Sequence, residues 1–279
     1  MLSLNNLSAN SPIGVFDSGI GGLTVAKALK DTLPHENIIY FGDIARLPYG
    51  TKSIATIKRF ASETVHFLIK QNIKAIVIAC NTISAVAKDE VTAIAGDIPV
   101  IDVISAGSIA ATLSCHNNKI GIIATPATVK SNSYSNAITK INNINQVFSV
   151  SCALFVPFIE EGLINHPALK LVAKDYLDSL LKNNIDTLIL GCTHYPIISN
   201  LIKELIGNNI KIIDPALETA EQLKITLTKL ELLNNSLREK KSRFFVTEQS
   251  PIFDKILHNF LGKNQISELV NLEEYVIND

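Results

Sequence analysis

Two short strings carry side chains suited to moving a proton: Cys80-Asn81-Thr82 and Cys192-Thr193-His194. Each cysteine directly follows a β-branched apolar run that reads as a strand and opens a stretch that reads as a helix. A thiol placed there gains acidity from the unpaired N–H groups of the helix end, which suits it to nucleophilic or acid/base work. A free cysteine titrates near about 8.5 and needs such help to act at neutral pH. Asp17 is available to take or share a proton beside Cys80, and His194 beside Cys192. The other two cysteines, Cys115 and Cys152, are expected to be small core hydrophobes. No CxxC pair is present and the first eleven residues lack Lys, Arg and an apolar core. Free thiols are therefore expected, rather than a disulfide framework or a zinc site, in a chain without a secretory signal.

Asp17-Ser18-Gly19-Ile20-Gly21-Gly22 lies between a strand-like run and a helix-like one. It reads either as an anion-binding turn with outward N–H groups or as a structural turn capped by Asp17 and Ser18. Its spacing matches neither the Walker A motif nor the dinucleotide fingerprint. The loop 41–50, FGDIARLPYG, reads either as a cover over a ligand, contacting it near Pro48–Gly50, or as an ordinary βα loop with Asp43 and Arg46 paired on the surface. The segment 155–162, FVPFIEEG, puts Glu160 and Glu161 at a helix end, which by itself says little. His35, His66, His116, His166 and His258 show no metal-ligand spacing and are expected at the surface or in structural roles.

These residues need a scaffold that presents strand ends. Strands are expected over 13–16, 37–41, 74–79, 98–103, 119–124, 147–152, 186–190 and 210–213, with further ones at 243–247 and 274–277. Helices are expected over 23–33, 53–71, 83–94, 104–113, 129–139, 167–182, 197–206 and 218–233. The strands are mostly continuous apolar runs, as a parallel sheet covered on both faces requires. Alternation of this kind predicts an α/β fold with open, mostly parallel sheets and ligands beyond the strands' carboxyl ends. Cys80 and Cys192 stand 112 positions apart and Gly14 and Gly121 stand 107 apart, which suggests two similar halves, each with one cysteine at a strand end. The expected units are 12–104 together with 216–279, carrying Cys80, and 105–215, carrying Cys192, with one cleft between them.

Composition removes other classes. The 279 residues carry 25 Lys and Arg against 26 Asp and Glu, a formal net charge of −1, so the broad positive field of a nucleic-acid binder is missing. Mean hydropathy is high at +0.26. Yet the least polar stretch, 103–115, is broken by Ser, Thr and Gly and falls well short of the roughly 20 residues needed to span a bilayer.

The strings IGVFDSGIGGLTV (13–25), YFGDIARLPYGTKS (40–53), ACNTIS (79–84), GIIATPATVKS (121–131), FVPFIEEG (155–162) and LGCTHYP (190–196) resemble the glutamate racemase family, within the wider aspartate/glutamate racemase group. That resemblance implies two pseudosymmetric α/β domains with the active site in the cleft between them. It implies a cofactor-independent cytoplasmic enzyme interconverting L- and D-glutamate, which supplies D-glutamate for peptidoglycan and so for cell wall biogenesis and cell shape. A homodimer without nucleic-acid or membrane partners is also implied. Carried over by position, Cys80 and Cys192 are the acid/base pair, assisted by Asp17, Glu160 and His194. Asp17, Ser18, Pro48, Tyr49, Gly50, Asn81, Thr82, Thr125, Thr193 and His194 hold the substrate. The chemistry agrees with the residues, since inverting a stereocentre needs a proton removed from one face and returned to the other. Three rivals stand beside it: an aspartate racemase, a cysteine hydrolase using Cys192 with His194, and a non-catalytic amino-acid-binding protein. The hydrolase leaves the matched Cys80 unexplained.

Overall fold

The computed structural model describes residues 7–236 and 242–272. Among the described residues, ten strands form two sheets in which every neighbouring pair is parallel. The first holds β1 (Ile13–Asp17), β2 (Ile38–Gly42), β3 (Ala75–Ile78), β4 (Val100–Asp102), β9 (Arg243–Val246) and β10 (Ser267–Leu269), in the order β10-β9-β2-β1-β3-β4. The second holds β5 (Lys119–Ala124), β6 (Gln146–Ser151), β7 (Thr187–Gly191) and β8 (Lys211–Ile213), in the order β6-β5-β7-β8. The blocks β2-β1-β3-β4 and β6-β5-β7-β8 share one strand order, which is the duplication suggested by the cysteine and glycine spacings.

The matched glycines do the same job in each half. A Cβ on Gly14 would sit 2.8 Å from Cδ1 of Ile73, just before β3, and one on Gly121 would collide with Cδ1 of Ile185, just before β7. Each glycine lets an isoleucine close the start of its cysteine-bearing strand.

Strands β1, β2, β3 and β7 are buried at every position, because helices cover both faces. Side-chain alternation sends Ile13 and Val15 to one face of the first sheet, against α1 (Leu23–Thr32), α10 (Pro215–Lys229) and α11 (Pro251–Leu261). Phe16, Ile76 and Ile78 go to the other face, against α2 (Ile54–Lys70) and α3 (Asn81–Ala95). In the second sheet Ile122 packs with α4 (Val103–Ser114) and α6 (Ser133–Ile141), while Ile123 faces α7 (Phe155–Glu160), α8 (Pro167–Leu181) and α9 (Ser199–Ile206). Helix α10 follows β8 in sequence but buries Ala216, Ala220, Leu223 and Leu227 in the first sheet's core. Asp102 caps α4, its Oδ1 accepting the N–H groups of Ile104 and Ser105 at 3.0 and 2.9 Å, a cap worth about 1 kcal/mol.

Several expectations change. The helix expected over 129–139 is two: α5 (Pro126–Lys130) and α6, separated by Asn132 in the left-handed region at φ 56°. The helix expected over 197–206 is preceded by a 3₁₀ turn, Tyr195–Ile198. Helix α11 and strand β10 lie where only irregular chain was expected, and the expected strand at 274–277 falls outside the described residues. Cys115 is not a core residue. It caps the end of α4 half-buried, packing against the edge of the second sheet's core while its thiol donates to Asp186 Oδ1 at 3.0 Å. Cys152, the residue after β6, is fully buried in the second sheet's core, as expected.

Candidate active site

β1 runs beside β3, and the chain leaves their carboxyl ends toward opposite faces, to α1 and α3, which opens a crevice there. β5 does the same in the second half. A cavity of about 270 Å³ joins the two crevices, with Cys80 from the end of β3 and Cys192 from the end of β7 both on its wall. Ser18, Pro48, Tyr49, Gly50, Asn81, Thr82, Thr125, Glu160, Thr193 and His194 line it as well. One residue of the expected set stays behind the wall. Asp17 is 1% exposed, and its Oδ2 accepts the N–H groups of Gly19 and Gly22, each at 3.0 Å. Its Oδ1 accepts the Thr193 hydroxyl at 3.5 Å, so this carboxylate shapes the glycine turn and ties it to the other half.

Cys80 occupies the N-cap position of α3 and its thiol donates to Ser18 Oγ at 3.6 Å. Burial, reinforced by the nearby charge of Asp17, pushes the thiol up to about 12, so Cys80 keeps its proton at neutral pH. The sequence argument expected the opposite direction, because it weighed the helix end and not the loss of water.

Cys192 Sγ lies 3.8 Å from His194 Nδ1, and His194 Nε2 lies 3.1 Å from Glu160 Oε1. Burial alone would lower the imidazole, but its hydrogen bonds to Cys192 and Glu160 overcome that and push it up to about 10. His194 is therefore an imidazolium at neutral pH. Glu160 is the carboxylate engaged with it, while Glu161 follows the helix as an exposed residue.

The loop 43–51 is held from beneath. Asp43 is 1% exposed and accepts from Arg46 Nε at 2.6 Å, from Thr247 Oγ1 at 2.9 Å and from the Tyr49 hydroxyl. Asp43 and Arg46 are thus an internal bracket and not a surface pair, and the bracket fixes Pro48–Gly50 as a cavity wall. Beside that wall, Thr82 and Thr125 hydroxyls meet across the two halves at 3.0 Å. Gly50 approaches Thr125 so closely that a Cβ would stand 3.2 Å from Thr125 Cβ.

Sequence reasoning missed Tyr134 and Thr24. Tyr134, on α6, donates to Asn81 Oδ1 at 2.6 Å, and Thr24, on α1, donates to the Thr193 carbonyl at 3.2 Å. Both sit on amphipathic helices where their side chains read as ordinary packing, and only the tertiary fold brings them to the cleft. The remaining histidines stay in structural roles where contacts exist: His166 caps α8 and His258 meets the Gln265 carbonyl at 2.9 Å. Among the described residues, no group of three or more His, Cys, Asp or Glu side chains is arranged to hold a metal ion.

The Asp/Glu/hydantoin racemase family model matches residues 23–223. A glutamate racemase of Neisseria meningitidis serogroup C is 48% identical over 273 residues, covering 96% of this chain and 100% of that one. One from Chlorobaculum parvum is 47% identical over 261 residues, covering 94% and 96%. Among solved structures, the glutamate racemase of Francisella tularensis in complex with D-glutamate superposes with a TM-score of 0.89 at 51% identity, covering 96% and 100%. An aspartate racemase homologue from Pyrococcus horikoshii shares the fold at a TM-score of 0.54 and 13% identity.

Proposed function

The chain belongs to the Asp/Glu/hydantoin racemase family, and we propose that it interconverts L- and D-glutamate by passing protons through Cys80 and Cys192 without a cofactor. The observation that carries this reading is the pair of buried thiols on one cavity, each at the carboxyl end of the equivalent strand of a duplicated sheet. Two similar half-sites suit two mirror-related ligands. We read the halves as 12–104 with 216–279 and as 105–215.

In the resting site Cys80 holds its proton and serves as donor, which leaves Cys192, beside the His194 imidazolium, to accept one. After one turnover the roles are exchanged, so the reverse reaction begins from the complementary state. The α-proton is far less acidic than a thiol, and the developing charge needs fixed donors already in place. Ser18, Asn81, Thr82, Thr125 and Thr193 supply hydroxyl and amide groups around the cavity for that purpose. Asp17 assists through the turn and Thr193, and Glu160 through His194. The product D-glutamate fits a supply role in peptidoglycan synthesis, in the cytoplasm, by a homodimer. Among the described residues no helix is long and apolar enough to cross a membrane.

The test is incubation of the purified protein with each glutamate enantiomer in D₂O, without pyridoxal phosphate, following optical rotation and deuterium at Cα. Rotation should be lost from both sides and exchange should accompany it. Cys80→Ser and Cys192→Ser should each slow racemisation by about 10²- to 10⁴-fold. Exchange with neither enantiomer overturns the reading, and full activity in either serine variant overturns the two-thiol mechanism. Faster turnover of aspartate would assign the other substrate.

A further inference from the structure

We propose that Tyr134 is a positioning residue of this site, fixing the direction of the Asn81 amide and the approach of the two cysteine-bearing turns. The inference rests on the reading that Cys80 and Cys192 exchange protons with the substrate.

Tyr134 belongs to the second half and Asn81 to the first. The phenol is 3% exposed and its hydroxyl donates to Asn81 Oδ1 at 2.6 Å. Asn81 follows Cys80 directly and lines the cavity. An amide can turn over with almost no change of shape, exchanging an acceptor for two donors. With Oδ1 engaged by Tyr134, the Nδ2 hydrogens are the ones left for the cavity. That choice matters, because an N–H stabilises negative charge growing on a bound carboxyl and a carbonyl oxygen opposes it. Burial, with Asp102, Cys192 and Asp214 nearby, holds the phenol well above its usual range, so the hydroxyl remains a donor throughout the working pH range.

The ring meets the other turn. A Cβ on Gly191 would lie 2.8 Å from the Ile123 carbonyl, which requires glycine there, and 3.2 Å from Tyr134 Cε2, so the ring packs closely on this turn. Gly191 directly precedes Cys192. One side chain thus packs on the residue before one thiol and bonds the residue after the other.

Tyr134→Phe keeps the ring and removes the donor. The control is Ile138→Val, which loosens the same helix within the same core and touches neither turn. In the phenylalanine variant kcat should fall about tenfold in both directions with KM moving less than about threefold, since an interaction that acts in the transition state is the one disturbed. Ile138→Val should keep wild-type kcat at 25 °C even where its thermal midpoint falls as far. Unchanged kcat in Tyr134→Phe, or an equal kcat loss in both variants, overturns the inference and leaves the two-thiol reading intact. Failure of the wild type to racemise glutamate overturns that reading and this inference together.

Discussion

His194 Nε2 sits 3.1 Å from Glu160 Oε1 while the opposite ring nitrogen faces Cys192, so one imidazole connects a carboxylate at the cavity rim to a buried thiol. The carboxylate comes from α7 and the histidine from the turn after β7. Their meeting is a product of how α7 packs on the second sheet.

This relationship gives the protein a pH signature. His194 titrates near 10 in the folded state against about 6.5 when free. A folded pKa raised above the unfolded one contributes stability that is fully present below about 6.5 and is lost as pH climbs through about 10. Glu160→Gln removes part of the cause. The wild type should exceed the variant by about 2 kcal/mol near pH 6, with the margin vanishing toward pH 10. Urea unfolding of both proteins across that range measures it, and a margin independent of pH would refute the assignment. Racemisation by the variant should also decline at a lower pH than in the wild type.

Gly21 is where the first half leans on the second half's turn. A Cβ there would stand 2.6 Å from His194 Nδ1 and would collide with Thr193 Oγ1. Gly21→Ala should lower kcat/KM at least about tenfold and stability by about 1–3 kcal/mol, the usual cost of overpacking. Gly96→Ala is the contrast. Its φ of +60° with ψ of −118° strains an alanine by about 1–3 kcal/mol, yet nothing lies within 4 Å, so activity should be untouched. Steady-state kinetics and thermal melts on the two variants separate the cases; comparable activity losses would contradict them.

At the opposite end of the first sheet, Lys74 Nζ is buried 2.6 Å from Glu36 Oε2 and donates to the carbonyls of Ala9 and Leu232 at 2.6 and 2.8 Å. Glu36 in turn accepts the N–H of Asn234 at 2.9 Å. Breaking such a pair strands a buried charge, so Lys74→Met should cost about 3–5 kcal/mol. Replacing both partners, as in Lys74→Met with Glu36→Leu, should recover part of that loss. Because the pair lies at the amino ends of the strands, kcat at a permissive temperature should match the wild type. Chemical denaturation with parallel rate measurements tests both statements, and a double variant less stable than the single would count against them.

The sequence alone determined the period of strands and helices, the duplication and the two thiols. Those follow from local patterning: apolar runs for a doubly covered parallel sheet, and cysteines set at matching strand ends. It also marked Glu160 and Glu161 but left them uninformative, because a helix-end carboxylate is ordinarily solvated. Tertiary structure decided which one faces His194, since that depends on how α7 docks. It decided the direction of the Cys80 shift too, because desolvation is a property of the assembled cleft and outweighs the helix end seen in sequence. Asp17 was expected among the substrate contacts, yet it lies behind the cavity wall, where its Oδ2 accepts the N–H groups of Gly19 and Gly22 and its Oδ1 the Thr193 hydroxyl. Tyr134 carried no local signal of any kind. Its hydroxyl reaches Asn81 and its ring lies beside Gly191 only because two halves, distant in sequence, bring their cysteine turns to one side chain.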